Sequence, residues 1–349
     1  MRILNIDGRY LVGALKARGH EVLTIGTAAA DDLRIQSYLS LRKLWQYLSD
    51  TGFAPDMILW CDSCRPPLVM GIETLPALTV AWSIDQYCNP WHYSYSAAFD
   101  LVLTAQKDYL PLFASENLPR ALHWFPLCCD ADHDTDPFAA EDEGFARRDI
   151  PVSFVGTVEG SINTARKDFL EAFKRHHPLV VRQGDYRPVF GRSNIVLNQS
   201  AAGELNFRLF QAAACGAAVL NEDTANGLTD IFTPGENLLP PYPRGDARAA
   251  AAAASNALAD PDALEDIALA GRDLVRSRHS TAARAAELET MAGRMLASRA
   301  QTWRLENQDT VRGRVGTALA MLAADEELPL NPDHRRMFLE LSNVYTIAR

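Results

Sequence analysis

Residues Ser193–Leu239, SNIVLNQSAAGELNFRLFQAAACGAAVLNEDTANGLTDIFTPGENLL, hold a strand, a polar loop, a helix and a second strand in that order. Ile195–Leu197 is an apolar run of strand type. Asn206–Cys215 carries apolar residues at helical spacing, with Phe207, Phe210 and Ala214 on one face and Leu209 and Ala213 beside it. Gly216 stops that helix where a left-handed residue is needed, and Ala217–Leu220 is the next strand. Glu204, Asn206 and Arg208 cluster at the helix start, where free backbone N–H groups and the positive dipole end face outward. A strand, a polar loop and a helix start in this order make an anion site in many nucleotide-binding folds.

The rest of the chain extends this pattern in both directions. Upstream, Val152–Val155 reads as a strand, and Gly156-Thr157-Val158-Glu159-Gly160-Ser161 as a loop leading to a helix over Ala165–Phe173. Gly156 admits a close approach of the backbone. Arg166 offers a forked donor pair and Lys167 a point charge, both suited to a diphosphate. Val180–Arg182 gives a further strand. Downstream, Asn221-Glu222-Asp223 follows a strand end. Helices are expected over Asp246–Leu258, from Asp260-Pro261 onward, and from an N-cap at Ser280. His279 is read as structural.

The N-terminal half alternates strands and helices. The strands are Arg2–Ile6, Glu21–Ile25, Met57–Cys61, Ala77–Ala81, Leu101–Thr104 and Ala121–Phe125; the helices are Tyr10–Arg18, Ile35–Leu48 and Lys107–Phe113. Such alternation implies parallel pairing in a doubly wound sheet, which binds ligands beyond the carboxyl ends of its strands. Those ends carry Asp7-Gly8, Asp62-Ser63 and Ser83-Ile84-Asp85, followed by the aromatic and polar loop Gln86–Tyr93. Aromatic platforms with polar neighbours suit sugar faces. Asp85 is a candidate carboxylate or a helix N-cap, and His92 a candidate base or a solvated loop residue.

Composition bounds the function. The 349 residues are 48% hydrophobic and 22% charged, enough for two domains. A formal charge of -10 argues against a general nucleic-acid binder. No apolar run approaches the ~20 residues of a membrane span, and Met1 leads straight into RILNID without a leader pattern, so a cytoplasmic location is expected. The cysteines of Cys61-Asp-Ser-Cys64 have redox or metal spacing, but no second pair or nearby His completes a zinc site; they and Cys88, Cys128, Cys129 and Cys215 are expected as reduced structural thiols. Asp130, Asp132, His133, Asp134 and Asp136 are read as a solvated acidic linker rather than a metal cluster, with the domain boundary over 134–149. No metal site is expected. The C-terminal helices either pack on the rest, bind a protein partner or begin a repeat array.

The combination of NFRLFQAAACGAAVLNED, GLTDIFTPGENLL and RSRHSTAARAAEL resembles the donor half of GT-B glycosyltransferases, most closely the spore-maturation (CgeB-like) group with its glycosyl transferases group 1 domain. The family pattern R-x-F-E-A-x-A-C-G is met by Arg208, Phe210, Ala212, Ala214, Cys215 and Gly216, with Gln211 where Glu is usual. Val155-Gly156-Thr157 with Arg166-Lys167 is similar to the family's F-V-G…R-R signature, and Trp82–Asp85 to its W-x-x-D. The resemblance implies two Rossmann-like doubly wound domains facing a cleft, an acceptor domain over 1–135 and a donor domain over 150–280, with helices over 281–349. It implies transfer of a sugar from a UDP-, GDP- or dTDP-linked donor, without metal or other cofactor, to a cell-surface glycan or protein. Gly156, Thr157, Arg166, Lys167, Asn206, Arg208, Gln211 and Glu222 are the expected donor residues, and Asp85 or His92 the catalytic ones. A catalytically weak nucleotide-sugar or partner binder, to which Gln211 points, and a sugar-nucleotide epimerase remain open beside it.

Overall fold

Short apolar runs rich in Ile, Leu and Val form the strands, because both faces of each sheet are covered. In the computed structural model, residues 1–140, 144–160 and 163–347 are described; Ser161, the end of the expected glycine loop, and residues 141–143 of the expected linker lie outside them. The chain forms two units, Met1–Phe125 with Ala285–Arg349, and Pro126–Arg284.

The first unit begins β1 (Arg2–Asp7), α1 (Val12–Ala17), β2 (Glu21–Gly26), β3 (Leu33–Arg34), α2 (Leu41–Asp50), β4 (Met57–Cys61) and β5 (Leu78–Ser83). It continues with α3 (Trp91–Tyr95), β6 (Leu101–Thr104), α4 (Leu110–Ala114) and β7 (Ala121–Trp124). The seven strands are parallel in the order β3-β2-β1-β4-β5-β6-β7. The order reverses between β1 and β4, which places a ligand crevice at the carboxyl ends of those strands. The helix expected from Ile35 starts instead at Leu41. Ser40 is extended and its hydroxyl accepts from the Lys43 N–H, so the cap sets the start and the preceding residues run into the loop.

The second unit contains β8 (Ile150–Val155), α5 (Arg166–Lys174), β9 (Val180–Arg182), α6 (Arg187–Phe190), β10 (Ser193–Asn198), α7 (Phe207–Ala214), β11 (Ala218–Asn221), α8 (Leu228–Ile231), α9 (Ala247–Leu258) and α10 (Pro261–Arg278). Its four parallel strands run β11-β10-β8-β9, with the reversal between β8 and β10. Asp246 and Asp260 cap α9 and α10 through Ala249 and Ala263 N–H groups.

Of the acidic stretch expected as a solvated linker, Asp132 and His133 are exposed, but Asp134 and Asp136 are held by partners. Asp134 accepts from the Tyr186 hydroxyl at 2.6 Å, and Asp136 pairs with Arg148 at 2.7 Å and Arg272 at 3.1 Å. Arg148 also donates to the Cys215 carbonyl at the end of α7, where a cation meets the negative end of the helix dipole. Gly216, at φ 78°, lies against this pair, and a Cβ there would strike both side chains.

After α11 (Thr281–Ala297) come α12 (Gln301–Glu306), α13 (Gln308–Ala324) and α14 (Pro332–Ile347). Val311, Val315, Ala318, Leu319 and Leu322 form a stripe of helical period on α13 and join Trp60, Trp91, Tyr95 and Phe99 in the core of the first unit, with Phe338 of α14. Each buried Val, Leu or Phe of this set contributes roughly 1.5–3 kcal/mol. Gly316 lets α13 approach α14, since a Cβ there would come within 3.1 Å of the Tyr345 Cβ. Arg304 of α12 is buried, pairs with Asp100 at 2.9 Å and donates to the Leu75 and Ala77 carbonyls. Among the described residues no helix is long and apolar enough to cross a membrane.

Candidate functional site

At the switch point of the second unit, the ends of β8 and β10 face the start of α7. Asn206 caps α7, its side chain accepting from the Leu209 N–H. At the second position of the helix, Arg208 runs back across the strand ends. Its Nε donates to the Val155 carbonyl at 2.9 Å, and its Nη1 to Asn198 Oδ1 at 2.8 Å and the Gln199 carbonyl at 3.3 Å. The guanidinium stacks 4.3 Å over the Phe154 ring. Gly156 makes room for it, because a Cβ at that position would collide with the guanidinium. What approaches the Gly156 backbone closely is therefore the Arg208 side chain.

Arg166, at the first position of α5, converges on the same spot. It donates from Nε to Gln199 Oε1 at 2.8 Å and from Nη1 to the Thr157 carbonyl at 2.9 Å. Asn163 donates to Gln199 Oε1 at 3.0 Å and to the Ser200 carbonyl at 2.9 Å. Gln199 thus links both loops. Burial first, and the neighbouring Arg166 charge second, pull the Arg208 guanidinium down to about 10, which leaves it charged at neutral pH. Among the described residues no carboxylate lies within ion-pair distance of Arg208; Glu204 and Glu222 act on it only as more distant charges. The Arg208 guanidinium, held by the neutral oxygens of Val155, Asn198 and Gln199, keeps a fixed positive charge at this spot.

The other expected donor residues fall around this centre to different degrees. Gln211, three residues beyond Arg208, shares its face of α7 and is half-buried. Lys167 does not join Arg166: it is exposed and pairs with Glu159 at 2.5 Å. Glu222 is buried at the end of β11, with Oε1 accepting from the Ser200 N–H at 2.9 Å and from its hydroxyl, while Oε2 has no hydrogen-bond partner. Burial raises its pKa. Asn198 and Gln199, which hold both arginines, carry no sequence signal of their own. Asn198 passes the polar chain on, donating to Asn221 Oδ1 at 2.6 Å. Replacing Gly156 by alanine is expected to displace Arg208 and weaken nucleotide binding by at least about tenfold, or about 1.4 kcal/mol. Thermal-shift titration with UDP checks this.

In the first unit, Asp62 organises the strand ends. Its carboxylate accepts from the N–H groups of Cys64 (2.7 Å), Ile84 (3.0 Å) and Asp85 (2.7 Å) and is 1% exposed. Asp85 caps no helix; Pro90 occupies the cap of α3. It is half-buried at the end of β5, and after burial its charge is the next cause that raises the Tyr10 phenol. His92 does not stand on a solvated loop. It is buried on α3 between Trp60 and Trp91, its Nδ1 2.9 Å from the Ser83 hydroxyl and its Nε2 without a hydrogen bond. Burial lowers its pKa, so the neutral imidazole is favoured.

Asp7 is buried at the end of β1 with φ 72°, and Oδ2 lacks a hydrogen-bond partner. Burial, outweighing the nearby Ser63 hydroxyl and the Arg65 charge, pushes it up to about 6. A folded pKa above the unfolded one stabilises the fold below the unfolded value, about 4, and that contribution is lost as pH rises through 6. Asn tolerates the left-handed backbone. Asp7→Asn is therefore expected to melt with wild type at pH 4 and above it at pH 8, as read by melting temperature.

Residues 145–290 match the family model described as Glycosyl transferase-like. No curated protein matches the sequence. Among solved structures, a glycosyltransferase from Rickettsia africae is similar over 84% of this chain and 98% of its own, at 11% identity and TM-score 0.60. HepE of Anabaena, solved in complex with UDP and glucose, is similar over 84% of this chain and all of its own, at 13% identity and TM-score 0.60. Sucrose-phosphate synthase from Thermosynechococcus elongatus is similar over 85% and 100%, at 14% identity and TM-score 0.57. The fold, two parallel α/β units with C-terminal helices, is that of the GT-B glycosyltransferases.

Proposed function

We propose that the chain is a glycosyltransferase that moves a sugar from a nucleotide-diphosphate sugar to the hydroxyl of a glycan or protein. The observation that carries the reading is the convergence of Arg208 and Arg166 at the switch point between β8 and β10. In the transfer, the acceptor oxygen attacks the anomeric carbon and the bond to the β-phosphate oxygen breaks. Negative charge grows on the leaving diphosphate, and guanidinium groups already fixed there stabilise it more in the transition state than in the ground state. In this reading the two guanidinium groups take the part that a metal ion would otherwise play.

Thr157, Asn206 and Gln211 surround the nucleotide in this reading, and Glu222 contacts the sugar. Gln211 hydrogen-bonds the ribose through its neutral amide. Asp85, half-exposed at the end of β5, is the acceptor-side carboxylate and takes the hydroxyl proton. His92 orders that strand end through Ser83 instead of acting as the base. Uridine is the first base to test, because HepE is solved with UDP-glucose. We assign the chain to the CgeB-like group and to the cytoplasm.

Incubation with UDP-, GDP-, dTDP- and CMP-sugars tests the reading. Free nucleotide released by slow hydrolysis is expected. Stabilisation without turnover selects the binding protein that Gln211 favours, and an altered sugar selects an epimerase.

A further inference from the structure

The Cys61-Asp-Ser-Cys64 spacing pairs neither of its cysteines with the other. Cys61 is buried, its sulfur directed at Asn5 Oδ1 at 3.9 Å. Cys64 is exposed, and its Sγ lies 3.8 Å from that of Cys88, which follows the next strand. We propose that Cys64 and Cys88 form a reversible dithiol site that hydroperoxides oxidise to a disulfide.

Two features bring the sulfurs together. The Asp62 carboxylate holds the backbone N–H groups of Cys64, Ile84 and Asp85, so the loops after β4 and β5 share one anchor. Asn89 Nδ2 then reaches both sulfurs, at 3.6 Å from Cys64 and 3.4 Å from Cys88. A disulfide needs about 2.05 Å between sulfurs, and side-chain rotation in two surface loops closes the remaining gap. The four other cysteines are buried and serve as internal controls.

Cys64 is the attacking thiol. The Cys88 S–H, and after it the Asn89 amide, stabilise its thiolate and lower its pKa. Only the thiolate is nucleophilic. It attacks one peroxide oxygen, the O–O bond breaks, and Cys64 becomes a sulfenic acid as the other oxygen leaves as hydroxide. The Cys88 sulfur then attacks the sulfenic sulfur, its proton and the departing hydroxyl form water, and the S–S bond closes. Two thiols lose two electrons in total, and the peroxide is reduced to two waters. A dithiol reductant reverses the change. The disulfide would tie together the two loops that carry Asp62 and Asp85.

The site is independent of the transfer reading, because its test requires no sugar nucleotide. The full chain is treated with hydrogen peroxide, quenched, denatured in iodoacetamide so that every free thiol is alkylated, and cleaved at Glu73 with a Glu-C protease to separate the two cysteines. The expected result is a fall from six alkylated cysteines to four, with a linked pair of peptides containing Cys64 and Cys88. Dithiothreitol should restore all six. Cys88→Ser should leave a sulfenic acid on Cys64 that dimedone traps. Full alkylation of Cys64 and Cys88 after peroxide, a disulfide only between molecules, or oxidation of the buried cysteines at the same pace would overturn the proposal.

Discussion

Arg208→Lys is expected to abolish the thermal stabilisation conferred by a nucleoside diphosphate and to slow sugar-nucleotide turnover by roughly 10²–10³-fold, the scale of removing one group that stabilises transition-state charge. Lysine keeps the charge but not the planar fork. It has one ammonium with which to replace donors now meeting Val155 O, Asn198 Oδ1 and Gln199 O, so the charge no longer has a fixed direction. A ligand at one hundred times its Kd stabilises the fold by about 2.7 kcal/mol, and the variant should lose that gain. Melting curves with and without UDP separate it from any loss of intrinsic stability. An undiminished ligand shift in a folded variant would remove Arg208 from the site.

The largest effect on stability is expected from Arg304→Ala, at about 3–5 kcal/mol. The change leaves Asp100 without its cation and the Leu75 and Ala77 carbonyls without their donors, all inside the first unit. Asp100 Oδ2 still accepts from the Thr79 N–H and hydroxyl, at 2.9 and 3.0 Å, which limits the cost. Arg304 also fixes α12 ahead of the α13 stripe, so the loss should spread through the C-terminal helices. Against a typical total of about 5–15 kcal/mol, this is a large share. Urea unfolding, followed by the aromatic signal of the Trp60 cluster, measures it; a loss below about 1 kcal/mol would show that the buried pair contributes little.

The features written in local sequence were those set by local physics. Apolar runs such as Met57–Cys61 and Leu101–Thr104 give strands, and the spacing around Phe207–Ala214 gives α7 with Arg208 at its start. Elsewhere the decisive partner was distant in the chain. Arg166 and Lys167 look alike as letters, but neighbours on a helix point about 100° apart, so one reaches Gln199 and the other stays in solvent. Asp136 reads as one acid among several until Arg148 and Arg272 pack onto it. His92 reads as a loop base until α3 turns it toward Trp60. Gln199 and Asn198 gain their importance only because β8, α5 and α7 converge on them.

Hydrogen exchange of the full chain with saturating UDP locates the nucleotide and so tests most directly whether Arg208 and the start of α7 form its site. Peptides covering 154–160 and 199–211 should slow, because the ligand would lie against Thr157, Arg208 and the start of α7. Binding that leaves both segments unchanged while peptides elsewhere slow, or the absence of binding at millimolar UDP, GDP and dTDP, would contradict it.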